Sequence, residues 1–208
     1  MSFVFTRRRI IKPSKFPQAL DFSLESAAHV GKLIGKNIAV SRLTYGQPAG
    51  VVQFTYLFEN MGELDQSQEQ ITTDAATAEY GVRAAELFEG APEDNIGRLV
   101  VSTIQEPRPV MNVISAITAP GKAADMMAFG TEMHEIVTAV TGAPAAFVVS
   151  VSGAFGGTRF VIGADSMAGL QAAMEKLQGD DRAMKRMEKS RDLFVSGSGQ
   201  SSILRRIN

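Results

Sequence analysis

The chain has 208 residues, with 21 basic and 22 acidic side chains, a net charge of −1 and no cysteine. Near-neutrality excludes the basic footprint that nucleic-acid binding requires. The missing cysteine excludes disulfides, thiolate catalysis and Cys-ligated zinc or iron–sulfur sites.

The N-terminal MSFVFTRRRII puts its arginines after a very short apolar stretch, the wrong order and length for a secretory signal. No run approaches the roughly 18 apolar residues of a membrane span. The expectation is a cytoplasmic protein with neither nucleic acid nor membrane as partner. FVFTRRRII itself reads as a strand. In KPSKFPQALDFSLESAAHVGKLIG, Leu20, Leu24, Ala27, Ala28, Gly31 and Ile34 recur at helical spacing, and Ser14 can cap that helix. NIAVSRLTY, the turn GQPAG and VVQFTYLFE form a β-hairpin. Residues 60–88 read as one interrupted helical region capped afresh by Asp74, and after a Gly-bearing turn NIGRLVVSTI closes this half as a strand.

The second half repeats that order. PVMNVISAIT is a strand, and Pro120 opens a helix at its first turn. APAAFVVSVS and GGTRFVIGA are a hairpin, SMAGLQAAMEKLQ and DDRAMKRMEKSRDLF are helical, and SSILRRI is the last strand. Sliding the chain by 106 residues aligns 54–88 with 160–194 without a gap. It pairs Phe54 with Phe160, Met61 with Met167, Leu64 with Leu170, Glu69 with Glu175 and Asp74 with Asp180. With Leu87–Leu193 and Phe88–Phe194 the identities reach seven in 35, where composition alone gives roughly two. Upstream the register slips, pairing Gly46 with Gly153 and His29 with His134.

Two copies are too few for a solenoid, so each is close to a domain by itself: residues 1–106 and residues 107–208. Each is βαββαβ, a ferredoxin-like unit with helices on one face of an antiparallel sheet. The other face needs a cover, and the second copy supplies it. The expected fold class is α+β, two tandem ferredoxin-like repeats packed sheet to sheet.

The hairpin and capped helix FVIGADSMAGLQAAMEKLQGDD and the closing RDLFVSGSGQSSILRRI resemble the dimeric α/β barrel superfamily, which includes antibiotic-biosynthesis-monooxygenase-like, chlorite-dismutase-like and NIPSNAP-like proteins. The resemblance spans both copies and implies a barrel, here fused in one chain. It also implies a choice of chemistries: cofactor-free oxygenation, haem binding, or none.

His29 and His134, both on the first helix of a copy, are the candidate catalytic bases; inherited packing at the helix–sheet seam is the plainer reading. Alternation puts Phe54, Tyr56 and Phe58 on one strand face and Gln53, Thr55 and Leu57 on the other, so Gln53 and its counterpart Arg159 point into the barrel if the aromatics meet the helices. Arg42 or Arg159 would clamp an anionic ligand, with Gln53 and Tyr45 as further ligand contacts; strand-end arginines snorkelling to water are the alternative. The arginines at 7–9 belong to the same group. No metal-ligand spacing and no Ser-nucleophile motif occurs.

The expectation is a small-molecule protein acting on an apolar or aromatic, acidic compound, monooxygenase-like and without cofactor. Its alternatives are a non-catalytic assembly module with a filled barrel, and haem binding through histidine. Self-association is expected. The short Gly-rich hairpin SGAFGGTRF points to the second copy as the roomier one.

Overall fold

The structure, a computed structural model, describes residues 2–46 and 48–208; Gln47, in the expected GQPAG turn, lies outside them. The first repeat comprises β1 (Phe3–Ile11), α1 (Phe16–Ile34), β2 (Ala39–Tyr45), β3 (Val51–Phe58), α2 (Met61–Thr73), α3 (Ala75–Leu87) and β4 (Phe88–Ser102). The second comprises β5 (Val110–Ile117), α4 (Ala123–Thr141), β6 (Ala145–Ser150), β7 (Gly157–Ala164), α5 (Met167–Gln178), α6 (Asp181–Glu188) and β8 (Gln200–Arg206). No helix among the described residues is long and apolar enough to cross a membrane.

The eight strands close into one antiparallel barrel in the order β1-β3-β2-β8-β5-β7-β6-β4. Within it each repeat keeps the ferredoxin-like order, β4-β1-β3-β2 and β8-β5-β7-β6, and the seams are β2 on β8 and β4 on β6. Closure removes every sheet edge, which a lone four-stranded unit would leave exposed. Three apolar clusters follow. One lies between the first sheet and its helices, around Phe22, Val40, Val52 and Phe58. A second lies under the second set of helices, around Met126, Phe129 and Phe147. The smallest joins Leu43, Val51, Met111 and Leu204.

α1 and α4 are both 19 residues long and both end on a left-handed glycine, Gly35 and Gly142. These matching ends displace the repeats by 107 residues before the hairpin. After it the displacement is 106, because the strand pairs Val40–Phe54 and Phe147–Phe160 are equivalent. Gly46 and Gly153, both at positive φ, sit 107 apart as expected. The histidines do not: His134 is equivalent to Ala27, and His29 to Ile136. The expected His29–His134 match is therefore corrected, since a two-residue slip turns a side chain about 200° round a helix.

Four local expectations also change. Ser14 lies in a 3-10 turn ahead of α1, whose N-cap is Lys15 without a side-chain bond. Pro120 precedes α4 by three residues, because Gly121 at φ 77° breaks the helical path before Ala123. Residues 89–93 are strand rather than turn: β1 runs on to Ile11 and pairs Arg8 with Glu93 and Ile10 with Glu89, and residues 90–92 bulge out between those pairings. Phe88 accordingly starts β4 instead of ending the helix. Asp74 does cap α3, accepting from the Thr77 amide, and Asp180 caps α6 in the same way.

Candidate functional sites on the two faces of the sheet

Strand alternation divides the arginine run. On β1, Val4, Thr6 and Arg8 face the barrel lumen, while Phe5, Arg7 and Arg9 face the helices. Each face encloses a cavity.

The outer cavity, about 180 Å³, lies in the first repeat between the sheet and its helices. Phe5, Phe22, Phe54, Tyr56, Tyr80 and Phe88 give it an aromatic wall. Gln68 Nε2 donates to the Tyr56 hydroxyl at 3.3 Å, leaving the phenol proton available to the cavity. Burial pushes the Tyr56 pKa up, so the phenol stays neutral. Arg7 is satisfied by a two-pronged pair with Asp94, both contacts at 2.7 Å. Arg9 is not: its guanidinium lies 4.8 Å above the Phe88 ring, and its buried Nε has no hydrogen-bond partner. Burial, then repulsion from Arg7, lowers its pKa below the ordinary arginine value.

The inner cavity is the barrel lumen, about 630 Å³. The barrel is hollow, not filled. One tier of six side chains rings it. Arg8 on β1 is level with Gln53 on β3 and Glu93 on β4, and Ser115 on β5 is level with Arg159 on β7 and Gln200 on β8. Among the described residues neither Arg8 nor Arg159 forms an ion pair, and Arg8 Nε is buried without a partner. Burial, then repulsion from Arg8, lowers the Arg159 pKa.

The candidate residues divide accordingly. Gln53 and Arg159 come together in the lumen. Arg42 alternates with the inward Ser41 and Leu43, lines neither cavity, and has Arg205 as its cross-strand neighbour. Tyr45 is 61 % exposed and lines neither. His29 sits outside the outer cavity behind Tyr80, ring centroids 5.2 Å apart, and its Nε2 lies 2.8 Å from Asp74 Oδ2. That contact, helped by Thr77, holds the Asp74 carboxyl below its usual range. His134 is 5 % exposed in the second repeat; neither ring nitrogen has a partner, and burial lowers its pKa. Arg8 and Arg9, grouped from the sequence with the other candidate arginines, fall on opposite faces, whereas Gln68 and Glu93 carried no signal in the sequence.

No family model matches the chain, and no curated protein does. Solved structures do. One from Fusobacterium nucleatum, described as a "putative monooxygenase", aligns over 100 % of this chain and 93 % of its own at 9 % identity, with a TM-score of 0.71. Another of that description, from Lactobacillus acidophilus, aligns over 99 % and 93 % at 10 % identity, TM-score 0.71. An anthrone oxidase-like protein aligns over 100 % and 91 % at 11 % identity, TM-score 0.70. At such identities the likeness is one of fold, and the chain has the dimeric α/β barrel fold, closed here within a single polypeptide.

Proposed function

We propose that the protein binds a small aromatic molecule carrying an acidic hydroxyl or carboxyl group in the outer cavity of its first repeat, and acts on it as a cofactor-independent, monooxygenase-like enzyme. The observation that carries this is Arg9: a half-buried cation whose buried Nε has no partner, at the wall of an aromatic cavity. An unpaired buried charge is costly, and a bound anion offsets that cost. The volume suits a compound of one ring, since an apolar cavity of about 150 Å³ holds benzene.

The chemistry follows from the same groups. A cofactor-free reaction with dioxygen needs a substrate that is itself the reductant, as a phenolate is: the ring gives up four electrons, one oxygen atom enters it as a quinone carbonyl and the other leaves as water. Arg9 stabilises such an anion, and the neutral Tyr56 hydroxyl donates to its oxygen. His29, oriented by Asp74, is the base for the first proton transfer, through water at the cavity's edge. The fold shared with structures described as monooxygenases supports the reading.

The test is titration of the full chain with one-ring phenols and arenecarboxylates, followed by oxygen uptake without added metal or cofactor. Arg9→Leu is expected to weaken binding about tenfold, the loss of one charge-assisted contact. His29→Ala is expected to spare binding and lower turnover. Failure of the whole panel to bind, or equal binding by Arg9→Leu, overturns the proposal.

A further inference from the structure

The lumen lies on the opposite face of the sheet from the cavity assigned above, and its wall has a different character. At one level stands the six-residue tier, with two guanidinium groups and the Glu93 carboxylate. Four residues along the same strands, toward the Ser102–Pro109 connection, the wall turns apolar at Val4 on β1, Met111 on β5 and Leu204 on β8; Val161 lies two residues along β7 from Arg159, and Val148, the cross-strand partner of Arg159, with Leu99 beside it on β4, carries the apolar wall up to the tier. Four strand residues span about 13 Å. The lumen therefore has one cationic level and one apolar level, in fixed order along the barrel axis.

The cationic level is not a by-product of symmetry. Strict duplication would give two equivalent arginines. Instead Arg8 stands on the first strand of its repeat, where the second repeat has Ser115, and Arg159 stands on the third strand of its repeat, where the first has Gln53. Each repeat has one arginine and one neutral hydrogen-bonding side chain at this level, on opposite strands of the pair, and the two charges are close enough to repel. Glu93, level with Arg8, pairs with neither guanidinium among the described residues and is exposed. Two cations and one carboxylate leave the tier with one net positive charge on the lumen wall, and the wall's other charged side chains, Lys36 and Glu106, are of opposite sign.

We infer that the barrel lumen is a second binding site, separate from the aromatic cavity, that takes one amphipathic monocarboxylate per chain, with its carboxylate between Arg8 and Arg159 and its apolar body against Val4, Val148, Val161 and Leu204. The net positive charge of the tier matches a monoanion. Gln53, Ser115 and Gln200 supply hydrogen bonds at the same level, and about 630 Å³ is within the ordinary range for a small-molecule site. The transposed arginines make the site directional, so a single orientation is bound.

Calorimetric titration of the full chain with dodecanoate and with dodecan-1-ol tests this. Dodecanoate is expected to bind with one-to-one stoichiometry at least about tenfold tighter than the alcohol, as charge-assisted contacts require. Arg8→Met and Arg159→Met each lower dodecanoate affinity about tenfold and leave the alcohol unchanged. Val148→Phe, which narrows the lumen and keeps both arginines, weakens both ligands. Ser115→Glu keeps both arginines as well and sets an internal carboxylate beside Arg159, so it lowers dodecanoate affinity even if an arginine variant fails to fold. Equal affinity for acid and alcohol, binding of neither, or indifference to Ser115→Glu overturns the inference. Retention of phenol binding by Val148→Phe separates this site from the outer cavity; loss of phenol binding there overturns the separation.

Discussion

The two repeats share a frame and differ in what they place on it. In both, a phenylalanine of the first helix meets the phenylalanine that follows the last helix: Phe22 with Phe88 at 6.0 Å and Phe129 with Phe194 at 5.9 Å, each edge to face. Around that shared contact the surroundings diverge. The first repeat has Phe5, Tyr56 and Gln68 where the second has Asn112, Ile162 and Met174. Tyr80, which hydrogen-bonds Glu25, gives way to Arg186, which pairs with Glu132 and lies over the Phe129 ring at 4.9 Å. The expectation that the second repeat holds the roomier pocket thus meets an outer cavity in the first, while in the second Phe147 and Phe160 stack at 4.8 Å. Duplication supplies a scaffold twice, and pockets arise where the copies stop matching.

The sharpest size exchange lies under the first helices. Val40 and Ser23 in one repeat correspond to Phe147 and Gly130 in the other, and a Cβ on Gly130 would sit 2.1 Å from the Phe147 ring. Gly130→Ser is expected to cost about 3 kcal/mol by overpacking, measured by urea unfolding. Adding Phe147→Val recovers much of that loss, whereas strict additivity of the two changes would show that the exchange is not coupled. The arginine transposition gives the next largest effect, with opposite sign. Arg159→Met removes a repulsive, unpaired charge and is expected to raise stability by about 1 kcal/mol, while Gln53→Met at the equivalent place brings no such gain. A destabilised Arg159→Met would show that the lumen satisfies this charge.

Which parts were legible follows from periodicity. A strand has only two faces, so alternation around Phe54 and Phe160 sufficed to send Gln53 and Arg159 inward. The same alternation cannot by itself orient RRR, because Arg8 and its neighbours are alike until the register with β3 is known. The histidines failed for a reason of phase. A helix turns 100° per residue, so the 105-residue spacing of His29 and His134, against a true 107, put them on different faces. Bulges were invisible too: the register shifts between Leu43 and Tyr45 and between Arg8 and Ile10 come from partner strands, not local composition.

The matching caps differ in what else they hold. Asp74 caps α3 and also binds His29, whereas Asp180 caps α6 with Ile136 at the histidine's place. Asp74→Ala is expected to lower Tm more than Asp180→Ala at neutral pH. The folded pKa of Asp74 is depressed, so its contribution is full above the ordinary 3.8 and is lost as pH falls through the folded value. The Tm gap between wild type and Asp74→Ala should therefore narrow in acid. A gap independent of pH would mean that the carboxylate charge plays no part.

The smallest effect at neutral pH belongs to His134, and it grows only on acidification. Its ring is buried with both nitrogens unpartnered, and burial, only partly offset by the nearby Ala145 carbonyl, sets its folded pKa below 6.5. Folding then requires the neutral ring, while the unfolded chain takes up a proton near 6.5. Stability is full above that value and falls as pH drops toward the folded pKa. At the equivalent helix position the first repeat has Ala27, equally buried and without charge, so the first repeat lacks this source of acid sensitivity. His134→Leu should flatten the decline of Tm between pH 7 and 5 while leaving neutral Tm little changed. An undiminished decline in that variant would move the acid sensitivity elsewhere, and the buried histidine would then be packing alone.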